Sequence, residues 1–171
     1  FADLDGDGNL DVVSSCEGRE QSMYVHWAPA KQADYLKSSA WTTEVIAATK
    51  QKQSWMFAEP AQIDGRTGIE LFVSSKGANG SIGWLKLPTD RQQARKVSQW
   101  QFIKLRDAGW VMTLKALDMD GDGDSDLLFS DRKGKKRGVS WLENPGREKV
   151  SSRGEWKEHV LGGREHEVMF L

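Results

Sequence analysis

The sequence predicts an all-β protein made of three consecutive units of about 57 residues, each with four short strands. Three observations carry this reading: tryptophan recurs on a fixed lattice, an Asp- and Gly-rich nonapeptide recurs on the same lattice, and the intervening segments alternate apolar and polar residues. Trp27, Trp84 and Trp141 are 57 and 57 residues apart, in VHWAP, IGWLKLP and VSWLENP. Each has a β-branched residue two before the Trp and a proline soon after, the pattern of a strand closed by a turn.

Within a unit the first strand precedes the nonapeptide, as SWMFAEPAQ, GWVMTLKALD and the terminal HEVMFL. The nonapeptides start at Asp3, Gln62 and Asp118, 59 and 56 residues apart, and run into the second strands LDVVSS, IELFVSS and SDLLFSD. The tryptophan segment is the third strand. The fourth begins at Trp41, Trp100 and Trp156, again 59 and 56 apart, in WTTEVIA, WQFIKLR and WKEHVLG. Four strands and a recurrent Trp per unit match a β-propeller blade, whereas a helical repeat would place apolar residues at i, i+3, i+4 and i+7. The expected repeats are 1–53, 54–108 and 109–165, with 166–171 starting the next. The chain thus begins at the end of a first strand and stops inside another. Propellers close with ~4–8 blades, so the expectation is a piece of a larger propeller, a seven-bladed ring being one size, with its remaining blades as partners. The eight tryptophans are expected in the core between adjacent sheets.

Composition narrows the remaining possibilities. With 24 Lys+Arg against 25 Asp+Glu the formal charge is −1, so no overall surplus dictates a partner. No apolar run approaches the ~18 residues that would span a bilayer, and nucleic acid is not an expected partner. The single cysteine, Cys16, excludes an internal disulfide framework, and is expected as a small buried apolar residue. No targeting signal is present in these residues. Catalytic residues are not expected: His26, His159 and His166 fall at three different unit positions, and neither a His-Glu-x-x-His nor a Gly-x-Ser-x-Gly motif occurs. The basic stretch DRKGKKRG, Asp131 to Gly138, reads as a solvated hairpin tip, with an anionic glycan or phosphate surface as the sharper alternative. Asn79-Gly80 reads as a two-residue turn.

The net charge hides an asymmetry. Nine of the 25 acids sit in DLDGDGNLD, Asp3 to Asp11, and DMDGDGDSD, Asp118 to Asp126. Carboxylates so dense repel one another and ask for a cation. The candidate metal residues are Asp3, Asp5, Asp7, Asn9 and Asp11 in the first loop, and Asp118, Asp120, Asp122, Asp124 and Asp126 in the third. Side-chain oxygens are expected from positions 1, 3, 5 and 9, and a backbone carbonyl from position 7. Oxygen donors select a hard cation, and a flexible loop suits Ca2+, which takes six to eight oxygens in loose geometry, over the tight octahedron of Mg2+. The opening resembles an EF-hand loop, but the final acid comes at position 9 and a strand follows at once. The middle copy, QIDGRTGIE from Gln62 to Glu70, has Gln62, Arg66 and Thr67 where the others carry Asp, Asp and Gly, and is expected to be metal-free. Its guanidinium is expected to bridge Asp64 and Glu70.

These DxDGDGxxD loops, leading into LDVV-like strands beside a repeated Trp strand, resemble FG-GAP/VCBS repeats, which form propellers such as the integrin-α head. The resemblance covers the whole chain as three repeats, and WLENPG and HEVMF are similar in style to multi-repeat proteins of environmental bacteria. It implies a secreted or cell-surface protein, with the periplasm as an alternative, whose Ca2+ braces inter-strand loops. The resemblance carries no single activity; the expected role is noncatalytic binding or scaffolding, with a glycan or a cell-surface protein as ligand. The alternatives it implies are a substrate-presenting part of a carbohydrate-active enzyme or an adhesion ectodomain.

Overall fold

A computed structural model describes residues 1–66, 68–90, 93–152 and 155–171. Among these residues eleven strands form three antiparallel sheets. The first sheet holds β1 (Val12–Ser15), β2 (Met23–Trp27) and β3 (Thr42–Val45) in sequence order. The second holds β4 (Ser54–Ala61), β5 (Glu70–Lys76), β6 (Ser81–Lys86) and β7 (Gln101–Asp107). The third holds β8 (Val111–Leu117), β9 (Asp126–Asp131), β10 (Gly138–Glu143) and β11 (Lys157–Gly162). Helical structure among the described residues is confined to short 3-10 turns such as Ser38–Ala40 and Val97–Gln99.

Register follows the repeats. Ala61 pairs with Glu70 and Leu117 with Asp126 across the nonapeptide, and the first unit keeps only the corresponding bridge, Ala2 to Asp11. Each first strand carries a bulge at the same place, between Trp55 and Phe57 and between Val111 and Thr113. Because every sheet is an antiparallel meander, the nonapeptides lie at one rim, and the joins 77–80, 108–110 and 132–137 lie at the other.

Two apolar layers separate the three sheets. Between the first and second sheets lie Met23, Val25 and Trp27, with Leu71, Val73, Leu85 and Trp100. Between the second and third lie Phe72, Ile82 and Trp84, with Leu114, Leu127, Phe129, Leu142 and Trp156. Leu71 and Val73 enter one layer and Phe72 the other, because successive strand residues face opposite ways. Trp27 meets Trp100 edge-on at 6.3 Å, and Phe72 meets Trp156 edge-on at 5.9 Å.

The indole N–H groups of Trp41, Trp100 and Trp156 each donate to the carbonyl six residues earlier, on Tyr35, Ala94 and Val150 (3.1, 2.7 and 2.9 Å). A local device therefore fixes the same tryptophan in each unit. Five of the eight tryptophans are buried; Trp41, Trp110 and Trp141 are half-buried, which corrects the expectation that all belong to the core.

Two smaller expectations also change. Cys16 is half-buried rather than buried. The turn near Asn79 is closed by Gly80 N–H donating to the Gly77 carbonyl (2.9 Å), so its central residues are Ala78 and Asn79, not Asn79 and Gly80.

Candidate metal-binding loops

Each intact nonapeptide is folded by its own carboxylates. Asp3 accepts hydrogen bonds from the N–H of Gly6 (2.7 Å) and Gly8 (3.2 Å); Asp118 accepts from Gly121 (2.8 Å) and Gly123 (3.1 Å). Asp5 accepts from the N–H of Asp7, and Asp120 from that of Asp122. These Asx-type turns need a left-handed backbone at both glycines, with φ of 80° and 87° at Gly6 and Gly8 and 85° and 93° at Gly121 and Gly123. An L side chain is strained there, which explains the Gly-x-Gly spacing.

The last acid of each loop is buried and bridges two chain segments. Asp11 accepts from the N–H of Leu4 (3.1 Å) and Ala28 (2.9 Å), and Asp126 from Met119 (2.8 Å) and Asn144 (2.7 Å). Burial raises the pKa of both carboxyls, the N–H donors lower it in part, and neighbouring loop aspartates raise it again. Asp124 is raised by burial first and then by Asp122, Asp118 and Asp120.

The outcome is two groups of three carboxylates, Asp3/Asp5/Asp11 and Asp118/Asp120/Asp126, whose oxygens lie within 4.8 Å of one another. Oxygen is the sole donor type in both groups, so the donor set fits a hard divalent cation. Six of the ten residues singled out from sequence are brought together. Asp7, Asp122 and Asp124 stay outside the groups; an oxygen of Asp7 and of Asp122 accepts the N–H two residues on. Asn9 is tied by its side-chain amide to Asp7 (3.1 Å) and accepts from the Tyr35 hydroxyl (3.2 Å).

Neighbouring sheets treat the loops differently. Arg95, from the β6–β7 connection, reaches into the first loop, 2.5 Å from Asp5 and 3.5 Å from Asp7, with its guanidinium 5.2 Å from the centre of the Trp27 ring. Among the described residues no cation pairs with the acids of the third loop. Asn144, buried, joins the third loop to the middle one by donating from its side chain to the carbonyls of Ser125 (3.2 Å) and Ile63 (2.9 Å). Arg95, Tyr35 and Asn144 carry no sequence signal, since each contacts a partner brought near only by folding.

The middle loop keeps the same scaffold with other chemistry. Gln62 takes the place of the first aspartate and accepts from Gly65 N–H (2.8 Å), while Glu70 takes the place of the last and accepts from Ile63 N–H (2.9 Å). Burial raises the Glu70 pKa, partly offset by the Ile63 N–H. Arg66 lies 3.5 Å from Asp64, but its other contact is the Thr89 hydroxyl (2.8 Å). The expected bridge to both Asp64 and Glu70 is thus half formed, because the guanidinium points toward the β6–β7 connection. Thr67 lies outside the described residues.

At the opposite rim the basic stretch is more than a solvated tip. Its base is pinned by buried Asp131, which accepts from the N–H of Gly109 (3.1 Å) and Trp110 (2.8 Å), and by buried Arg106, which donates to the Lys136 carbonyl (2.9 Å) and pairs with Glu158 (3.1 Å). Lys76, Arg132 and Lys133 lie 4.7, 5.2 and 5.0 Å from the Trp110 ring centre. Within this stretch only residues 133–136 are exposed. The histidines are dispersed: His26 lies between the hydroxyls of Ser14 and Thr43 (2.8 Å each), His159 stacks on Trp141 at 4.2 Å and bonds Glu143, and His166 is exposed.

No protein-family model, curated protein or solved structure matches the chain.

Proposed function

We propose that the chain is a calcium-braced β-propeller segment of the FG-GAP/VCBS type, with three sheets as consecutive blades and a noncatalytic binding or scaffold role outside the cell. The observation that carries this is the paired convergence of Asp3, Asp5 and Asp11, and of Asp118, Asp120 and Asp126, on loops of one backbone design. Three carboxylates held this close repel one another, and a divalent cation removes that repulsion while tying together the first and second strands of a unit. Asp7, Asp122 and the carbonyls at position 7 are the further donors expected from the loop pattern, with water completing the shell. A site that binds the native state alone stabilises it by RT ln(1 + [Ca]/Kd), about 2.7 kcal/mol at a hundredfold excess over Kd. Short extracellular calcium modules have Kd values on the order of 10⁻⁴–10⁻³ M, which suits calcium outside cells.

Calorimetric titration of the full chain with Ca2+ tests the proposal, beside Asp5→Ala, Asp120→Ala and the double substitution, with thermal melts in calcium and in chelator. Saturable binding of two ions, each lost with its own aspartate, and a higher Tm in calcium are expected. Identical melts with no heat of binding would remove calcium from the account and leave the sheet architecture alone.

A further inference from the structure

The middle unit reverses the charge of the rim on which the acidic loops lie. Its loop keeps two acids and both are buried, Asp64 at 4% and Glu70 at 6% exposure. Arg66 stands where the first and third loops carry Asp7 and Asp122. The β10–β11 connection of the third sheet overlies this loop as the β6–β7 connection overlies the first. Arg147 packs its stem on Gly65, where a β-carbon would come within 3.2 Å of the Arg147 Cβ. Ser151 follows the carbonyl that accepts from Trp156, as Arg95 follows the one that accepts from Trp100. Ser151 thus holds the place of Arg95, and it accepts from the Lys86 ammonium (3.2 Å). Of Arg66, Lys86 and Arg147, only Arg66 pairs with an acid among the described residues, buried Asp64 at 3.5 Å.

A cleft of 580 Å³ opens beside these cations, on the second sheet, which is packed between the other two. Arg66, Lys86, Thr89, Gln99 and Gln101 line it, with Trp100 as an apolar wall, and no carboxylate does so among the described residues. Arg66 donates from Nη1 to the Thr89 hydroxyl (2.8 Å) and turns Nε toward Asp64, which leaves Nη2 without an acceptor among the described residues. A carboxylate or sulfate accepts well from such a guanidinium edge and from an ammonium. The amides of Gln99 and Gln101 and the hydroxyl of Thr89 both donate and accept, as pairing with sugar hydroxyls requires. The volume and the few convergent polar groups are those of a small-ligand site.

We propose that this cleft binds an acidic saccharide, its carboxylate or sulfate held between Arg66 and Lys86 and its hydroxyls met by Thr89, Gln99 and Gln101. An isolated acidic sugar fits better than a densely charged strand, because the nine aspartates of the flanking loops share this rim and repel an extended polyanion. Trp100 is only 3% exposed, so no ring face is open for a nucleic-acid base to stack on. The inference rests on the binding role proposed above, to which it gives a ligand class, and does not depend on calcium.

Titration calorimetry of the full chain in chelator tests it, with tetragalacturonate and a heparin-derived tetrasaccharide as probes. Methyl-esterified tetragalacturonate is the uncharged counterpart and sodium sulfate the bare anion. Saturable binding of at least one acidic tetrasaccharide is expected, and which of them binds tells carboxylate from sulfate. Arg66→Gln and Lys86→Gln should each weaken that binding by about tenfold or more. Both side chains are part-exposed, so thermal melts should match the parent chain. Lys135→Gln, on the exposed tip at the opposite rim, should change nothing. Binding of neither acidic probe, equal binding of the ester, or sulfate binding as tightly as the tetrasaccharide overturns the proposal. Loss with Lys135→Gln in place of Arg66→Gln moves the anion to the basic hairpin and overturns it as well. Calcium titration of the parent chain is read separately: two ions bound and no saccharide would sink this inference and leave the calcium-braced blades standing.

Discussion

The first and third acidic loops have the same internal hydrogen bonds and different surroundings. In both, the first aspartate holds two glycine N–H groups and the last holds two backbone N–H groups from separate segments. Among the described residues only the first receives a guanidinium, from Arg95, 90 residues from Asp5. The middle loop shows a third state, in which the loop supplies its own cation, Arg66, and keeps a single aspartate, Asp64, with Glu70 as its closing acid. Backbone design is therefore a property of the nonapeptide, whereas charge balance is set by what the next sheet places against it.

The largest effect should come from the buried closing acid. Asp11→Ala and Asp126→Ala each leave two backbone N–H groups without acceptors, at a cost of about 2–5 kcal/mol from unsatisfied donors. Chemical denaturation in chelator should show equal losses for both; a large inequality would break the equivalence of the two scaffolds. Next, calcium at a hundredfold excess over the Kd of the third loop should add about 2.7 kcal/mol. That gain should survive Asp5→Ala and disappear in Asp120→Ala, as read by Tm in calcium and in chelator.

Rebuilding the middle loop sharpens the comparison further. The combination Gln62→Asp, Arg66→Asp and Thr67→Gly should add one calcium per chain in titration calorimetry, since Asp64 and Glu70 already stand at positions 3 and 9. Two ions instead of three would mean that the nonapeptide alone is insufficient. The smallest expected effect belongs to Arg95→Gln. Its half-exposed ion pairs are worth about 0.5–1 kcal/mol, so calcium affinity at the first loop should rise two- to fivefold while the third loop stays unchanged. An unchanged first site would show that Arg95 turns aside without competing.

Much of this was legible before any folding was considered. The 57-residue spacing of Trp27, Trp84 and Trp141 marks three equivalent strands, and they are β2, β6 and β10. The Gly-x-Gly pair inside each intact loop announces two left-handed turns, and the φ values are positive at all four glycines. The burial of Trp141 was not legible, because its flanking pattern is that of Trp27 and Trp84 while its exposure depends on whether another sheet lies over it. The pinning of the basic hairpin was hidden for a similar reason: Asp131 is adjacent in sequence, but Gly109 and Trp110 reach it across a sheet.

The sequence by itself determined the strands, their order within each sheet and the conformation of the acidic loops. Those features arise from covalent geometry and from hydrogen bonds spanning a few residues, which a short pattern encodes completely. Only the tertiary structure decided that Arg95 pairs with two acids of one loop and no described cation with those of the other, that Asn144 ties two loops together, and that Trp41 and Trp141 stay half-buried. Such contacts depend on which sheets stack and at what angle, and side chains far apart along the chain meet there only after two apolar layers have formed.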